Sequence, residues 1–254
     1  MDREFFLKNG YIIAPAERID VLEQLRDQIF EKAKKMVDYN GEDATQFFNQ
    51  FHHYELTGTQ LNDRRFELYN DISKNLNAGE LIYQAYEDLL TNLVGPDILV
   101  QKGTNLVIQQ PGDSNTSPVH RDSPLNSPFE VVGWVPLVDI YATKGMYVLN
   151  LAKTDKALEL LSDLDSGYEQ FQKYTEKEGT RLEMKFGEAL FFWPGLVHGI
   201  PLNQEEETRW SLNIRYKGLF SPVGSKGLGE FFQILRLSPL AQVALEHEKE
   251  ECSK

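Results

Sequence analysis

From about residue 97 to 150 the chain is cut into short runs rich in β-branched and aromatic residues: DILVQ, TNLVIQQ, FEVVGWVPLVDIY and GMYVLNL. Gly, Pro, Asn and Asp punctuate them. Short apolar runs bounded by turn residues predict strands that fold back on one another. Strand texture returns in RLEMKFGEALFFWP and in TRWSLNIRYKG. Between the two β-rich regions, TDKALELLSDL and GYEQFQKYTEKEG read as a helical insertion.

The flanks have a different texture. Asp20 is placed to cap a helix, with Glu23 completing a capping box. Val21, Leu22, Leu25, Ile29, Ala33 and Met36 then follow helical spacing. A second apolar stripe, Leu81, Ala85, Leu89 and Leu93, runs through GELIYQAYEDLLTNLVG, and the Gly-Pro pair at 95 and 96 ends it. The segment from 227 to 250 reads as helical and ends in a charged tail. The expected architecture is mainly β with flanking helices. An N-terminal helical part (about 1–96), a β core (about 97–220) and C-terminal helices (about 221–254) form one domain, 1–254. With 254 residues, 41% of them hydrophobic and 11% aromatic, such a core can be filled.

The formal net charge of −13 argues against general affinity for nucleic acid or an anionic membrane, because phosphate binding needs clustered Lys and Arg. An anionic small-molecule substrate needs only a local basic pocket and stays open. Arg64, Arg65 and Lys217 could serve an anionic nucleotide or phosphate, but they read more readily as solvated surface cations. Cys252 is the single cysteine, so no intrachain disulfide or thiolate metal site can form. The opening MDREFFLKNGYII lacks the apolar run of a signal peptide or anchor. Both features suit a cytoplasmic protein. No symmetry signal speaks to oligomeric state.

The chemistry concentrates in SPVHRDSP, residues 117 to 124. In an extended segment, residues i and i+2 point to one side, so His120 and Asp122 converge while Arg121 turns away. Pro118 and Pro124 suit an edge or strand end. An isolated pair of this kind is more often a surface ion pair. His198 changes the balance: it lies 78 positions later, where the apolar run GEALFFWP ends in a turn. Two histidines and one carboxylate make the facial ligand set of non-haem Fe(II) oxygenases, which leaves three coordination positions free. An anionic bidentate cosubstrate then needs an anchor at its far end. Arg209, eleven positions after His198, shares a strand face with Ser211. A guanidinium holds a carboxylate through two charge-assisted hydrogen bonds, and the hydroxyl adds another. Asn213 and Arg215 continue that polar face, opposite Trp210, Leu212, Ile214 and Tyr216; alone, the pattern reads as a strand with one solvated face. Adjacent His52 and His53 would point to different sides of a strand and are read as non-ligands. His247 sits on the charged terminal helix. Ser117 and Ser123 have no assigned role.

These motifs resemble the Fe(II)- and 2-oxoglutarate-dependent oxygenases, within them the phytanoyl-CoA dioxygenase-like branch. FLKNGYIIAP looks like that branch's N-terminal lead-in, VHRD like its HxD strand and VVGWVPLVDIYATKGMYVL like its tryptophan strand. KFGEALFFWPGLVHGIPLN looks like its glycine turn and distal histidine, followed by Asn203. TRWSLNIRY looks like its cosubstrate arginine strand. The resemblance implies a double-stranded β-helix, a cupin-like jelly-roll. It implies His120, Asp122 and His198 as ligands of Fe(II), and Arg209 with Ser211 on the distal carboxylate of 2-oxoglutarate. It also implies Gln109 as a further cosubstrate contact. The implied reaction consumes O2 and oxidises a small molecule. The intact Asp122 favours hydroxylation, desaturation, epimerisation or ring formation over halogenation. Where the branch often reads Pro-Gly-Ser-His, this chain reads LNLAKTD, so its substrate pocket is its own. HRDSPLNSPFEVVGWVPLVD also resembles a bacterial group tied to surface-carbohydrate biosynthesis, which implies a sugar or sugar-linked substrate.

Three other readings compete. A cupin-like metal-dependent sugar isomerase or epimerase would use the same fold without 2-oxoglutarate; Arg209 with Ser211 argues against it. A non-catalytic carbohydrate-binding β-sandwich would use the Trp and Tyr residues for stacking, although such residues are more often core. A nucleic-acid demethylase conflicts with the acidic surface.

Overall fold

Ten strands and nine helices follow one another along the described residues of this computed structural model, which are 2–113, 119–123, 127–163, 165–222 and 224–251. Ser117, Pro118, Pro124 and Cys252 lie outside them. The chain begins with α1 (Arg3–Asn9), β1 (Tyr11–Pro15) and α2 (Ile19–Ala33). Four helices follow, α3 (Ala44–Asn49), α4 (Gly58–Asn75), α5 (Ala78–Ala85) and α6 (Glu87–Val94). The β-rich region supplies β2 (Ile98–Gln101), β3 (Asn105–Gln109), β4 (Glu130–Pro136) and β5 (Tyr147–Val148). The insertion forms α7 (Leu151–Leu160) and α8 (Gly167–Glu178). Then come β6 (Thr180–Arg181), β7 (Glu188–Phe192), β8 (His198–Gly199), β9 (Arg209–Gly218), β10 (Phe232–Arg236) and α9 (Pro239–Glu251).

The strands form two antiparallel sheets. The larger runs β1-β7-β4-β9-β2-β10, with β3 also paired to β9; the smaller runs β6-β5-β8. The ten-residue β9 organises the larger sheet. One of its edges pairs along its length with β4, from Glu130↔Lys217 to Pro136↔Ser211. Its other edge is shared: β3 takes Arg209 to Asn213 and β2 takes Tyr216 to Gly218. Alternation along β9 sends Trp210, Leu212, Ile214 and Tyr216 to the face that the N-terminal helices cover. Trp210 packs against Phe48 and Phe51, each with ring centroids 4.9 Å away. The Tyr216 hydroxyl donates to the Gly79 carbonyl at 2.7 Å. The other face of β9 carries Arg209, Ser211, Asn213, Arg215 and Lys217.

Several expected boundaries move. Asp20 does not cap α2; it sits inside the first turn and pairs with Arg18, the N-cap residue, whose side chain makes no capping bond. The helix expected across residues 79–95 breaks at Tyr86, which has φ −134 and ψ 37. The break lets the Tyr86 ring pack edge-on against Phe191 at 5.0 Å and its hydroxyl reach the Gly187 carbonyl at 3.1 Å. The buried set shifts accordingly to Ile82, Tyr83, Ala85, Leu89 and Leu90, leaving Leu81 and Leu93 only half-buried. The segment from 227 is not helical throughout, because β10 precedes α9 and pairs with β2. Only Phe232 of β10 is buried, so the strand is made by its partner's backbone rather than by an apolar pattern. Among the described residues, no helix is long and apolar enough to cross a membrane.

Candidate metal centre

After β7 the chain turns through Trp193, Pro194 and Gly195 and returns as β8. Here the two distant histidine segments meet. The His120 N–H donates to the His198 carbonyl at 3.0 Å and the His198 N–H to the His120 carbonyl at 2.9 Å. This single antiparallel bridge sets the imidazoles side by side, centroids 4.4 Å apart. The Asp122 and Ser123 N–H groups both donate to the Pro194 carbonyl, at 2.9 and 3.0 Å. With the backbone pinned at both points, His120, Asp122 and His198 each bring a ligand atom within 4.8 Å of the others. Arg121 is exposed, as the two-residue alternation requires.

Two of the three side chains have the protonation state that metal ligation requires. His198 is buried, and its Nδ1–H donates to the Leu196 carbonyl at 2.9 Å. A carbonyl only accepts, so the proton is on Nδ1 and the Nε2 lone pair is free to bind a metal. Burial, reinforced by the neighbouring His120, pushes His198 down to about 4. The ring is therefore neutral at neutral pH, the form that ligates. Phe192 closes one side, its ring 4.9 Å from His198. For Asp122, burial alone would raise the carboxyl. The His120 hydrogen bond and the Arg215 charge outweigh it and hold the group at about 2. Asp122 Oδ1 lies 3.6 Å from His120 Nε2, and Oδ2 accepts from an Arg215 terminal nitrogen at 2.7 Å.

Arg209 occupies one end of the same face of β9. Its side chain is fully buried, yet one nitrogen makes only a 3.5 Å contact with the Lys144 carbonyl. Nε and the other terminal nitrogen have no hydrogen-bond partner among the described residues. Its guanidinium carbon sits 5.8 Å from the Trp134 ring centroid. Burial lowers Arg209 to about 10, so it remains a cation at neutral pH. Ser211 Oγ is buried and also without a partner among the described residues. Gln109 lies directly opposite Arg209 in the β3·β9 ladder, and cross-strand partners share a face. Its amide nitrogen donates to the Pro201 carbonyl at 2.9 Å, while Oε1 is buried with no partner among the described residues. Asn203 braces this end: its amide donates to the Glu207 carbonyl at 2.8 Å, and its oxygen accepts from the Glu205 N–H at 3.1 Å.

The polar face of β9 is thus buried rather than solvated. Lys217 is not a surface cation: it is 1% exposed and donates to the Pro222 carbonyl at 2.8 Å. Arg64 and Arg65 are at the surface, contacting Glu67 and Asn62 on their own helix. His52 and His53 stand outside the cluster, on a 3-10 turn and not a strand. His52 Nδ1 contacts Thr208 Oγ1 at 3.0 Å, and the two rings lie edge to face at 4.2 Å. Trp134 and Trp210 are core residues. The side chain that the motifs missed is Arg215. Its position on the face of Arg209 was visible in the two-residue period, but its partner lies 93 residues away.

No known family model matches the chain, and no curated protein matches it in sequence. Solved structures do match in shape. The non-haem monooxygenase ThoJ in its nickel complex superposes with a TM-score of 0.55 at 16% identity, covering 98% of this chain and 95% of that one. The non-haem α-ketoglutarate-dependent carbocyclase SnoK of nogalamycin biosynthesis gives 0.52 at 16%, with 92% and 96% covered. The related epimerase SnoN gives 0.51 at 17%, with 91% and 96% covered. At such low identity the likeness shows a shared fold.

Proposed function

We propose that the protein is a non-haem Fe(II)- and 2-oxoglutarate-dependent oxygenase acting on a small molecule. One observation carries the reading: a fully buried arginine, with two nitrogens that have no partner among the described residues, on the strand face that also reaches Asp122. A buried cation without an anion is costly, and the missing partner has the chemistry of a carboxylate. In this reading the two sheets form a double-stranded β-helix, in one domain spanning 1–254.

His120, Asp122 and His198 would hold Fe(II), and Arg209, Ser211 and Gln109 would take the distal carboxylate of 2-oxoglutarate. Bound together, iron and 2-oxoglutarate supply the O2-dependent oxidising power. The protein's own share is binding and exclusion of water. Arg209 offers two donors fixed in a plane and the Ser211 hydroxyl adds a third, while Gln109, whose orphan Oε1 only accepts, would contribute the second N–H of its amide. Phe192 beside His198 and Trp134 beside Arg209 place apolar rings against the two groups, and charge pairing strengthens where such rings exclude water. His198 keeps its proton on Nδ1, so that Nε2 stays available without a proton being lost. Asp122 stays ionised throughout the physiological range.

The fold neighbours include a monooxygenase, a carbocyclase and an epimerase. Hydroxylation, ring formation and epimerisation are accordingly the reactions to assay. At the finer level the proposal is a phytanoyl-CoA dioxygenase-like enzyme with a sugar or sugar-linked substrate, supported by the resemblance of HRDSPLNSPFEVVGWVPLVD. The test is anaerobic addition of Fe(II) and 2-oxoglutarate. A metal-to-ligand charge-transfer absorption should appear, vanish in His198→Ala and weaken in Arg209→Ala. Substrate-stimulated succinate release across sugars, sugar nucleotides, acyl thioesters and amino acids then identifies the substrate. Absence of the absorption in the wild-type protein refutes the proposal.

A further inference from the structure

The two oxygens of Asp122 have different surroundings. Oδ1 faces the cluster, 3.6 Å from His120 Nε2. Oδ2 is held by Arg215 at 2.7 Å, in a pair whose side chains are 13% and 9% exposed. Arg215 is itself braced from behind. The brace is an ion pair longer than a hydrogen bond: Arg215 Nε lies 3.6 Å from Glu130 Oε2, on a carboxylate that is 1% exposed. Glu130 is fixed in turn, because its Oε1 accepts from the Ser127 N–H at 3.1 Å. The β4·β9 ladder sets this register, pairing Val132 with Arg215 and Glu130 with Lys217, so all four share the inner face.

We infer that Arg215 is a positioning residue that restricts Asp122 to one-oxygen metal ligation, with Glu130 as its brace. A metal at the cluster takes Oδ1, because capture of Oδ2 as well would require breaking a short, largely buried charge-assisted bond. The consequence is a count of positions. Two imidazoles and one carboxylate oxygen leave three of six positions free, which a bidentate cosubstrate and O2 need. A two-oxygen carboxylate would leave two. A merely structural ion pair would stabilise the fold without affecting this count. The inference rests on the cluster being a metal site, and does not depend on the cosubstrate.

The test is anaerobic Co(II) titration, followed by calorimetry and by visible absorption, which reports coordination number. Arg215→Ala and Arg215→Lys should weaken Co(II) binding about 10- to 100-fold, the usual cost of removing a group that orients a ligand. Their absorption band should also change in intensity, as Asp122 becomes free to use both oxygens. Glu130→Gln, which leaves Asp122 and Arg215 in place, should show a smaller loss with the same spectral trend. If Arg215→Ala fails to fold, Arg215→Lys and Glu130→Gln decide the matter. Both variants binding Co(II) within about threefold of wild type, with superimposable spectra, overturns the role of Arg215. Wild-type protein that binds no Co(II) overturns the metal site, and this inference with it. Wild-type protein that binds Co(II) but not 2-oxoglutarate overturns the proposed oxygenase and leaves Arg215 standing or falling on its own variants.

Discussion

Replacing Arg209 by methionine should make the protein more stable alone and far less responsive to 2-oxoglutarate. Burial without an anion among the described residues lowers Arg209 from the ordinary arginine value to about 10. That fall corresponds to a penalty of about 3 kcal/mol on the buried cation. The folded value lies below the unfolded one, so the penalty is fully present at every pH below about 10. Methionine keeps most of the stem's packing and forfeits one long contact with the Lys144 carbonyl at 3.5 Å. A bond that long contributes little, so a net gain of about 1–2 kcal/mol remains. Binding should move the other way. Truncating one partner of a buried, hydrogen-bonded charge pair costs about 2–5 kcal/mol, or roughly 30- to several-thousand-fold in affinity. Urea unfolding of the metal-loaded protein measures both effects. With 2-oxoglutarate at about 100 times its Kd, the wild type should gain about 2.7 kcal/mol, and Arg209→Met no more than about 0.9 kcal/mol. A variant less stable than wild type without cosubstrate, yet stabilised by 2-oxoglutarate to the same extent, would refute the argument.

Two further outcomes follow from the same geometry. The folded value of His198 is about 4 against an ordinary 6.5, so the unfolded state takes up the proton first as pH falls. Stability of the metal-free protein should be fully present above about pH 6.5 and decline by up to about 3 kcal/mol on acidification to about pH 4. Denaturation curves at several pH values should lose this component in His198→Gln; an unchanged profile would show that His198 is not the group. On the helix-covered face, Trp210→Ala should cost about 3–5 kcal/mol by emptying the space between Phe48 and Phe51. Urea midpoints check this, and Co(II) affinity of the folded fraction should be retained.

The pairing of His120 with Asp122 was legible because the two-residue alternation of extended backbone is local geometry. The same rule separated the Arg209 and Ser211 face of β9 from the Trp210 face. It could not say which face is dry, because that depends on what distant parts of the chain lay over it. So a polar face expected in water is buried, and Lys217, expected at the surface, is 1% exposed. The helical stripe through residues 79–95 was visible, but its break at Tyr86 was not, since the cause is a ring and a carbonyl about a hundred residues away. β10 was hidden for a related reason: its hydrogen bonds come from β2, while its own side chains are mostly exposed. Arg215 shows the division most clearly. Periodicity assigns it a side of the strand, but its ion pair with Asp122 spans 93 residues. Local spacing orients side chains; only the folded chain brings opposite charges into contact and removes the water between them.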